Sequence, residues 1–342
     1  MLASAIGRPS TRRGPRHLRW AVLLITALAM FLLPHTLSSY NGDIGAYSLS
    51  ALGAPASTRA DELPPPTEAW RSADHLIVVA GHAVYVGTDR SDGALDSEES
   101  WYLEDYQRGQ VATMLEHIAM GVRLAAEDNN SILLFSGGQT RARAGPRSEA
   151  LSYWEAAEAR GWFGHVDVRE RAQLEDQAPR SRRDHAESPI DGGGACQARD
   201  SFENLLFAIC RFAELASVYP SRVTVVSFGF KRRRFEELHR RALRIPRAMF
   251  HFVGADPPDL PVATRISETT HSTLPYEHDP YGCHDAELRT KRSARNPFRR
   301  TLSFARGCPA LAPLLDRCPT SLYTGALPWA RANHGLDEDA TF

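Results

Sequence analysis

Short apolar runs recur through the middle of the chain, each closed by Gly or Ser and followed by residues at helical spacing. Leu76-Ile77-Val78-Val79-Ala80 stops at Gly81, and Ile132-Leu133-Leu134-Phe135-Ser136 stops at Gly137-Gly138. Runs without alternation mark strands buried on both faces. Val223-Thr224-Val225-Val226 and Met249 to Val253 repeat the pattern, and Val166-Asp167-Val168 gives a weaker third strand. Between them, Val111, Leu115, Ile118 and Val122 keep helical spacing within a helix predicted over Trp101–Ala126. A second helix starts at Ser148, whose hydroxyl can cap it, and stops at Gly161. A third spans Ser201–Ser217, with Leu205, Ile209, Phe212 and Leu215 on one side, and a fourth Phe230–Leu243. The polar segment Ala172–Ala198 reads as a long surface loop. Strand then helix, repeated, predicts an α/β fold with a doubly wound, mainly parallel sheet.

The ends differ from this middle. Arg8, Arg12, Arg13, Arg16 and Arg19 crowd the start, no acid precedes Asp43, and an apolar run begins at Trp20. Counted to Leu37 it has 18 residues, within the range of a membrane-spanning helix. The expected organisation is a basic cytoplasmic segment (1–19), a transmembrane signal anchor (20–37), a Ser/Ala/Gly/Pro-rich linker (38–73), the α/β domain (74–254) and a loop-rich extension (255–342). With the arginines cytoplasmic, the bulk of the chain is lumenal or extracytoplasmic in a single-pass membrane protein. A cleaved signal for secretion and a mitochondrial membrane protein are the alternatives.

Charge narrows the function classes. Forty basic against forty-one acidic side chains give a net charge of -1, which disfavours a dedicated nucleic-acid binder. Lys231 and Lys291 are the only lysines, so arginine runs reflect one-sided usage and carry little weight as recognition elements. No G-x-G-x-x-G follows Gly81, and phosphate-loop, G-x-S-x-G and H-E-x-x-H motifs are absent. Five cysteines without CxxC spacing argue against a zinc ribbon. Cys308 and Cys318 could close a short loop, and Cys210 reads as a buried small hydrophobe. Glu277-His278-Asp279 and Cys283-His284-Asp285 read as loop residues, so no metal site is expected.

Candidate chemistry collects at the strand ends, where open α/β sheets bind ligands. They carry Gly81 and His82; Ser136, Gly137 and Gly138, then Ser148 and Glu149; Glu170; Ser201, Glu203 and Asn204; and Ser227, Lys231 and Arg234. Glycines let backbone amides approach a ligand, and helix N-termini favour an anion. Glu149 and Glu203 are candidate acid–base or metal-orienting carboxylates, and Lys231 with Arg234 the anion clamp. The plainer alternative makes Ser148 and Ser201 helix caps, the two glutamates first-turn acids and the glycine pair a turn.

These carriers, Val79-Ala80-Gly81, Ser136-Gly137-Gly138, Ser148-Glu149-Ala150, Glu170, Ser201-Phe202-Glu203-Asn204 and Ser227 to Arg234, resemble in order and spacing the family called domain of unknown function 218 (DUF 218). That is the YdcF/SanA/ElyC-like group, and the resemblance spans Asp74–Val253. It implies a Rossmann-like three-layer domain, often tethered by one N-terminal helix and associated in bacteria with the cell envelope, with no common reaction. Many relatives carry a His shortly after the fourth strand where this chain has Phe230-Lys231, so that residue's role does not transfer. The Phe230-Lys231-Arg232-Arg233-Arg234-Phe235 run, Asp279 to Cys283 and Arg295 to Phe298 look more like the fungal branch. The expectation is a membrane-anchored domain binding a phosphorylated or nucleotide-like small molecule in envelope or glycan metabolism. The alternative is a non-catalytic scaffold with a decayed site, and no cofactor is implied.

Overall fold

The computed structural model describes residues 68–176, 197–300 and 308–331. The anchor expected at 20–37, with the basic segment before it, lies outside these residues. Among the described residues no helix is long and apolar enough to cross a membrane.

The strands are β1 (His75–Ala80), β2 (Val84–Tyr85), β3 (Trp101–Tyr102), β4 (Ser131–Ser136), β5 (Ala172–Leu174), β6 (Arg222–Phe228) and β7 (Phe250–Ala255). Five form one parallel sheet in the order β5-β4-β1-β6-β7. Its register pairs Ala80 with Ser136 and Ser227 with Gly254, so the carboxyl ends of the strands lie along one edge. Successive side chains feed opposite cores. Ile77, Val79, Leu133 and Phe135 pack under α1 (Val111–Glu127) and α2 (Glu149–Ala159). Leu76, Val78, Ile132 and Leu134 pack under α3 (Ser201–Ala216). Each fully buried Leu, Ile or Val contributes about 1.5–3 kcal/mol, which is what holds both helical layers to the sheet. Gly121 of α1 lies over Val79, where a side chain would overlap the Val79 methyl.

Several elements differ from expectation. The helix expected from Trp101 begins at Val111, because Trp101–Tyr102 pairs instead with Val84–Tyr85 and the Trp101 ring meets Tyr85 edge-on at 5.1 Å. Val166–Val168 lies in a 3-10 turn, and the edge strand is Ala172–Leu174, inside the segment read as loop. Glu170 therefore precedes its strand. It is exposed at the opposite edge, its carbonyl accepting from Trp70 Nε1 at 2.6 Å. The helix expected over Phe230–Leu243 is a 3-10 turn at Gly229–Lys231, a π-helical stretch at Arg234–His239 and one α-turn at Arg240–Ala242. Asp200, rather than Ser201, caps α3, its carboxylate accepting from the Glu203 N–H at 2.9 Å.

The region after Gly254 folds back onto the sheet through α4 (Val262–Glu268), α5 (Leu274–His278) and α6 (Ala286–Ala294). Tyr276, Tyr281, Leu288, Leu311, Leu314 and Trp329 join the core that holds Leu76 and Phe207. Cys308 pairs with Cys210 of α3 and Cys318 with Cys283, at Cα separations of 5.2 and 6.3 Å, instead of closing the loop between themselves. These cross-links fasten the last described residues to the domain.

Candidate functional site

From β1 the chain moves outward to β4 and β5, then returns across β1 to β6 and β7. That reversal leaves a crevice beyond the ends of β1 and β6, the position at which such sheets bind ligands. A cavity of about 610 Å³ opens there. Its wall takes Gly81 and His82 from the end of β1, Glu149 from α2, Ser201 and Asn204 from α3, and Phe230, Lys231 and Arg234 from the segment after β6. Glu268, Tyr276 and Arg295 close it from the C-terminal region.

The glycines set how near α2 comes to the strand ends. A Cβ on Gly81 would stand 2.7 Å from Glu149 Cβ. Gly137, at φ +148°, would put one 2.7 Å from Glu149 Oε2, and Gly138 one 2.8 Å from the Ala198 carbonyl oxygen. Glu149 is thereby pressed against the strand ends, 7% exposed, and its Oε1 accepts from Thr140 Oγ1 at 2.5 Å. Ser148 caps α2, its Oγ accepting from the Leu151 N–H at 3.0 Å.

His82 and Lys231 form the centre of the wall. Lys231 Nζ lies 3.2 Å from His82 Nδ1, and His82 Nε2 lies 3.1 Å from Ser227 Oγ. An ammonium has only donors, so it fixes Nδ1 as acceptor and leaves the ring proton on Nε2, donated to Ser227. Burial, followed by the Lys231 charge, holds the His82 pKa well below the ordinary imidazole value. Burial, followed by the Arg234 charge, brings Lys231 down to about 7. Its ammonium stands over the Phe228 and Phe230 rings, 5.0 and 5.6 Å from their centroids. That position returns part of the lost hydration as cation–π attraction. Arg234, 8% exposed, places Nε 3.2 Å from Glu268 Oε1.

Of the residues singled out by sequence, Gly81, His82, Glu149, Asn204, Lys231 and Arg234 share the cavity wall. Ser136, Gly137, Gly138, Ser148 and Ser227 are not on it and instead support residues that are. Ser136 Oγ donates to Asn204 Oδ1 at 3.2 Å, and the Gly138 carbonyl accepts from the Glu149 N–H at 3.2 Å. Glu203 points elsewhere. Its carboxylate takes Arg199 at 2.5 and 2.9 Å, with Arg292 Nε 3.6 Å away. Among the described residues no group of three His, Cys, Asp or Glu side chains is placed to hold a metal.

Two acids escaped the sequence reading. Glu175 Oε2 accepts from Ser136 Oγ at 3.3 Å and the Gly137 N–H at 3.4 Å, and burial pushes its pKa well above the carboxylate range. Asp176 is raised by burial to about 6. The visible signal was an acidic pair closing the short run Ala172-Gln173-Leu174. Glu268 and Tyr276 had no signal and Arg295 stood out only in the resemblance to the fungal branch, since long-range packing brings all three to the wall.

The chain is similar to the uncharacterised protein YOR238W of Saccharomyces cerevisiae (strain ATCC 204508 / S288c), at 27% identity over 261 residues, 67% of this chain and 86% of the yeast protein. No family model matches it, and no solved structure matches it.

Proposed function

We propose that the chain is a Rossmann-like three-layer domain, tethered by its N-terminal apolar segment and akin to the DUF 218 group, that binds a phosphorylated or nucleotide-like small molecule. One observation carries the reading. The cavity at the reversal of strand order is lined by six Lys or Arg residues against three Asp or Glu. Among the described residues, no carboxylate stands within ion-pair distance of the Lys231 ammonium. Lys231 and Arg234 face a phosphate, Glu149 and Asn204 meet ribose or sugar hydroxyls, and Phe230 offers a ring face. An enzyme of envelope or glycan metabolism fits that ligand class, with Glu149 as its acid–base group. The engagement of Glu203 by Arg199 and Arg292 favours the second reading, a binding or scaffold module without catalysis.

A thermal-shift screen of the full chain against nucleotides, sugar nucleotides and polyprenyl phosphates tests the proposal. A ligand at a hundred times its dissociation constant adds about 2.7 kcal/mol of stability. Arg234→Ala should weaken that ligand by about 2–5 kcal/mol, because a desolvated phosphate then lacks its partner. A screen in which no phosphorylated compound raises the melting temperature removes the reading.

A further inference from the structure

Ser201 and His239 form a hydroxyl–imidazole pair at the wall of the same cavity. Ser201 opens α3 and lines the cavity, and its Oγ lies 2.7 Å from His239 Nε2. Because Asp200 supplies the helix cap, the Ser201 hydroxyl is left to the imidazole. A serine hydroxyl is a weak nucleophile until a base at hydrogen-bond distance takes its proton. His239 is fully enclosed by the rings of Phe202, Phe235 and Tyr276, edge-on at 5.7, 5.4 and 4.6 Å between centroids. Packing thus orients the ring, as a carboxylate does in the serine triad. Burial, and next the Arg234 charge, keep it neutral near pH 7, while the Asp200 charge favours the imidazolium formed on proton transfer. The general-base role requires the tautomer with the ring proton on Nδ1, in which Nε2 accepts from Ser201.

Two further buried groups beside the pair are unsatisfied. Arg234 Nε has no hydrogen-bond partner and the Tyr276 hydroxyl faces the Asp200 carboxylate without an aligned bond, although both residues line the cavity at 8% and 2% exposure. Arg234 Nε and Glu268 Oε1 stand close without the alignment of a hydrogen bond. The Asp200 carboxylate near Tyr276 is already held by Arg292. Buried donors are ordinarily satisfied. An oxygen-rich group between them would complete the site.

We propose that Ser201 is a nucleophile toward phosphorus, with His239 as its general base and Arg234 and Tyr276 as donors to the phosphoryl oxygens. The proposal rests on the phosphorylated-ligand reading above. Ser201 Oγ bonds to phosphorus as its proton passes to His239 Nε2. The bond from phosphorus to the leaving oxygen breaks, and that oxygen takes the proton from His239. Water then attacks the phosphoserine and gives a proton to His239, the P–Oγ bond breaks, and the proton returns to Ser201. The cycle is redox-neutral and consumes only water.

A biotinylated fluorophosphonate, which phosphonylates base-activated serines with loss of fluoride, is incubated with the full chain and the adduct mapped by peptide mass spectrometry. One adduct is expected, on Ser201, absent from Ser201→Ala and formed at least tenfold more slowly by His239→Gln. Tyr276→Phe keeps the ring and removes only the hydroxyl, so it should slow labelling several-fold even if His239→Gln fails to fold. No adduct on the unaltered chain, an adduct on another serine, or an unchanged rate in a folded His239→Gln or in Tyr276→Phe overturns the proposal. A melting-temperature rise with ADP in a chain that resists labelling removes the nucleophile and keeps the binding reading. Labelling of Ser201 when no phosphorylated compound of the screen raises the melting temperature keeps the nucleophile and removes the binding reading.

Discussion

Replacing Lys231 by methionine should stabilise the protein at neutral pH, and the gain should disappear in alkali. Burial and the Arg234 charge lower this amine from 10.5 to about 7. Above about pH 10.5 both folded and unfolded chains carry a neutral amine, and no charge is buried. As pH falls toward 7 the unfolded chain takes up a proton that the folded chain refuses, so stability is lost across that window. Below about 7 both states are charged and the cost is constant. At roughly 1.4 kcal/mol per pH unit the full window amounts to about 5 kcal/mol. Lys231 is half-buried, so water screens part of this and about 2–3 kcal/mol is the working expectation. Methionine keeps the apolar stem against Phe228 and Phe230 but loses the bond to His82, worth about 1 kcal/mol. Urea unfolding of both chains between pH 6 and 10 measures the difference directly. A methionine advantage at pH 7 that shrinks toward pH 10 is expected. A difference independent of pH would show that this amine titrates normally and refute the account of its environment.

Other substitutions test the architecture. Gly121→Ala should cost about 1–3 kcal/mol by overpacking against Val79, read as a lower calorimetric melting temperature. An unchanged value would mean that α1 stands further from β1. Cys308→Ala opens a bridge across 98 residues and should cost about 2–5 kcal/mol, with faster proteolysis of the C-terminal region. Equal resistance to protease would deny that the bridge holds it. Glu203→Ala should lower stability by about 3–5 kcal/mol by leaving Arg199 and Arg292 short of a buried partner. Calorimetric titration with the ligand found by thermal shift should give an unaltered affinity. Weaker binding at unchanged stability would return Glu203 to the site.

Three of the sheet strands were legible because burial on both faces demands runs such as Ile77-Val78-Val79 and Leu133-Leu134-Phe135, whereas β7 showed as an apolar run although it is an edge strand with His251 exposed. The fifth was not, since Ala172-Gln173-Leu174 is short, lies at an edge and carries a polar residue. The start of α1 was misplaced because Trp101 is buried through a hairpin contact that helical spacing cannot distinguish. At the site, Gly81, Glu149 and Lys231 could be found from sequence because chain order puts them just beyond strand ends or at the helix start that comes next. Glu203 shares the motif with Asn204, but one faces Arg199 and the other the cavity. That choice depends on the rotation of α3, which spacing alone does not reveal. Tyr276 and Arg295 reach the wall through a C-terminal region held by two long-range disulfides, and local sequence carries no trace of that closure.

The most direct test of the central claim is the position of phosphorus in a crystal structure of the full chain with the phosphorylated compound that stabilises it most. The phosphate is expected beyond the ends of β1 and β6, within hydrogen-bond distance of Lys231 Nζ and the Arg234 guanidinium. A phosphate bound elsewhere on the molecule, with the cavity filled only by water, would contradict it.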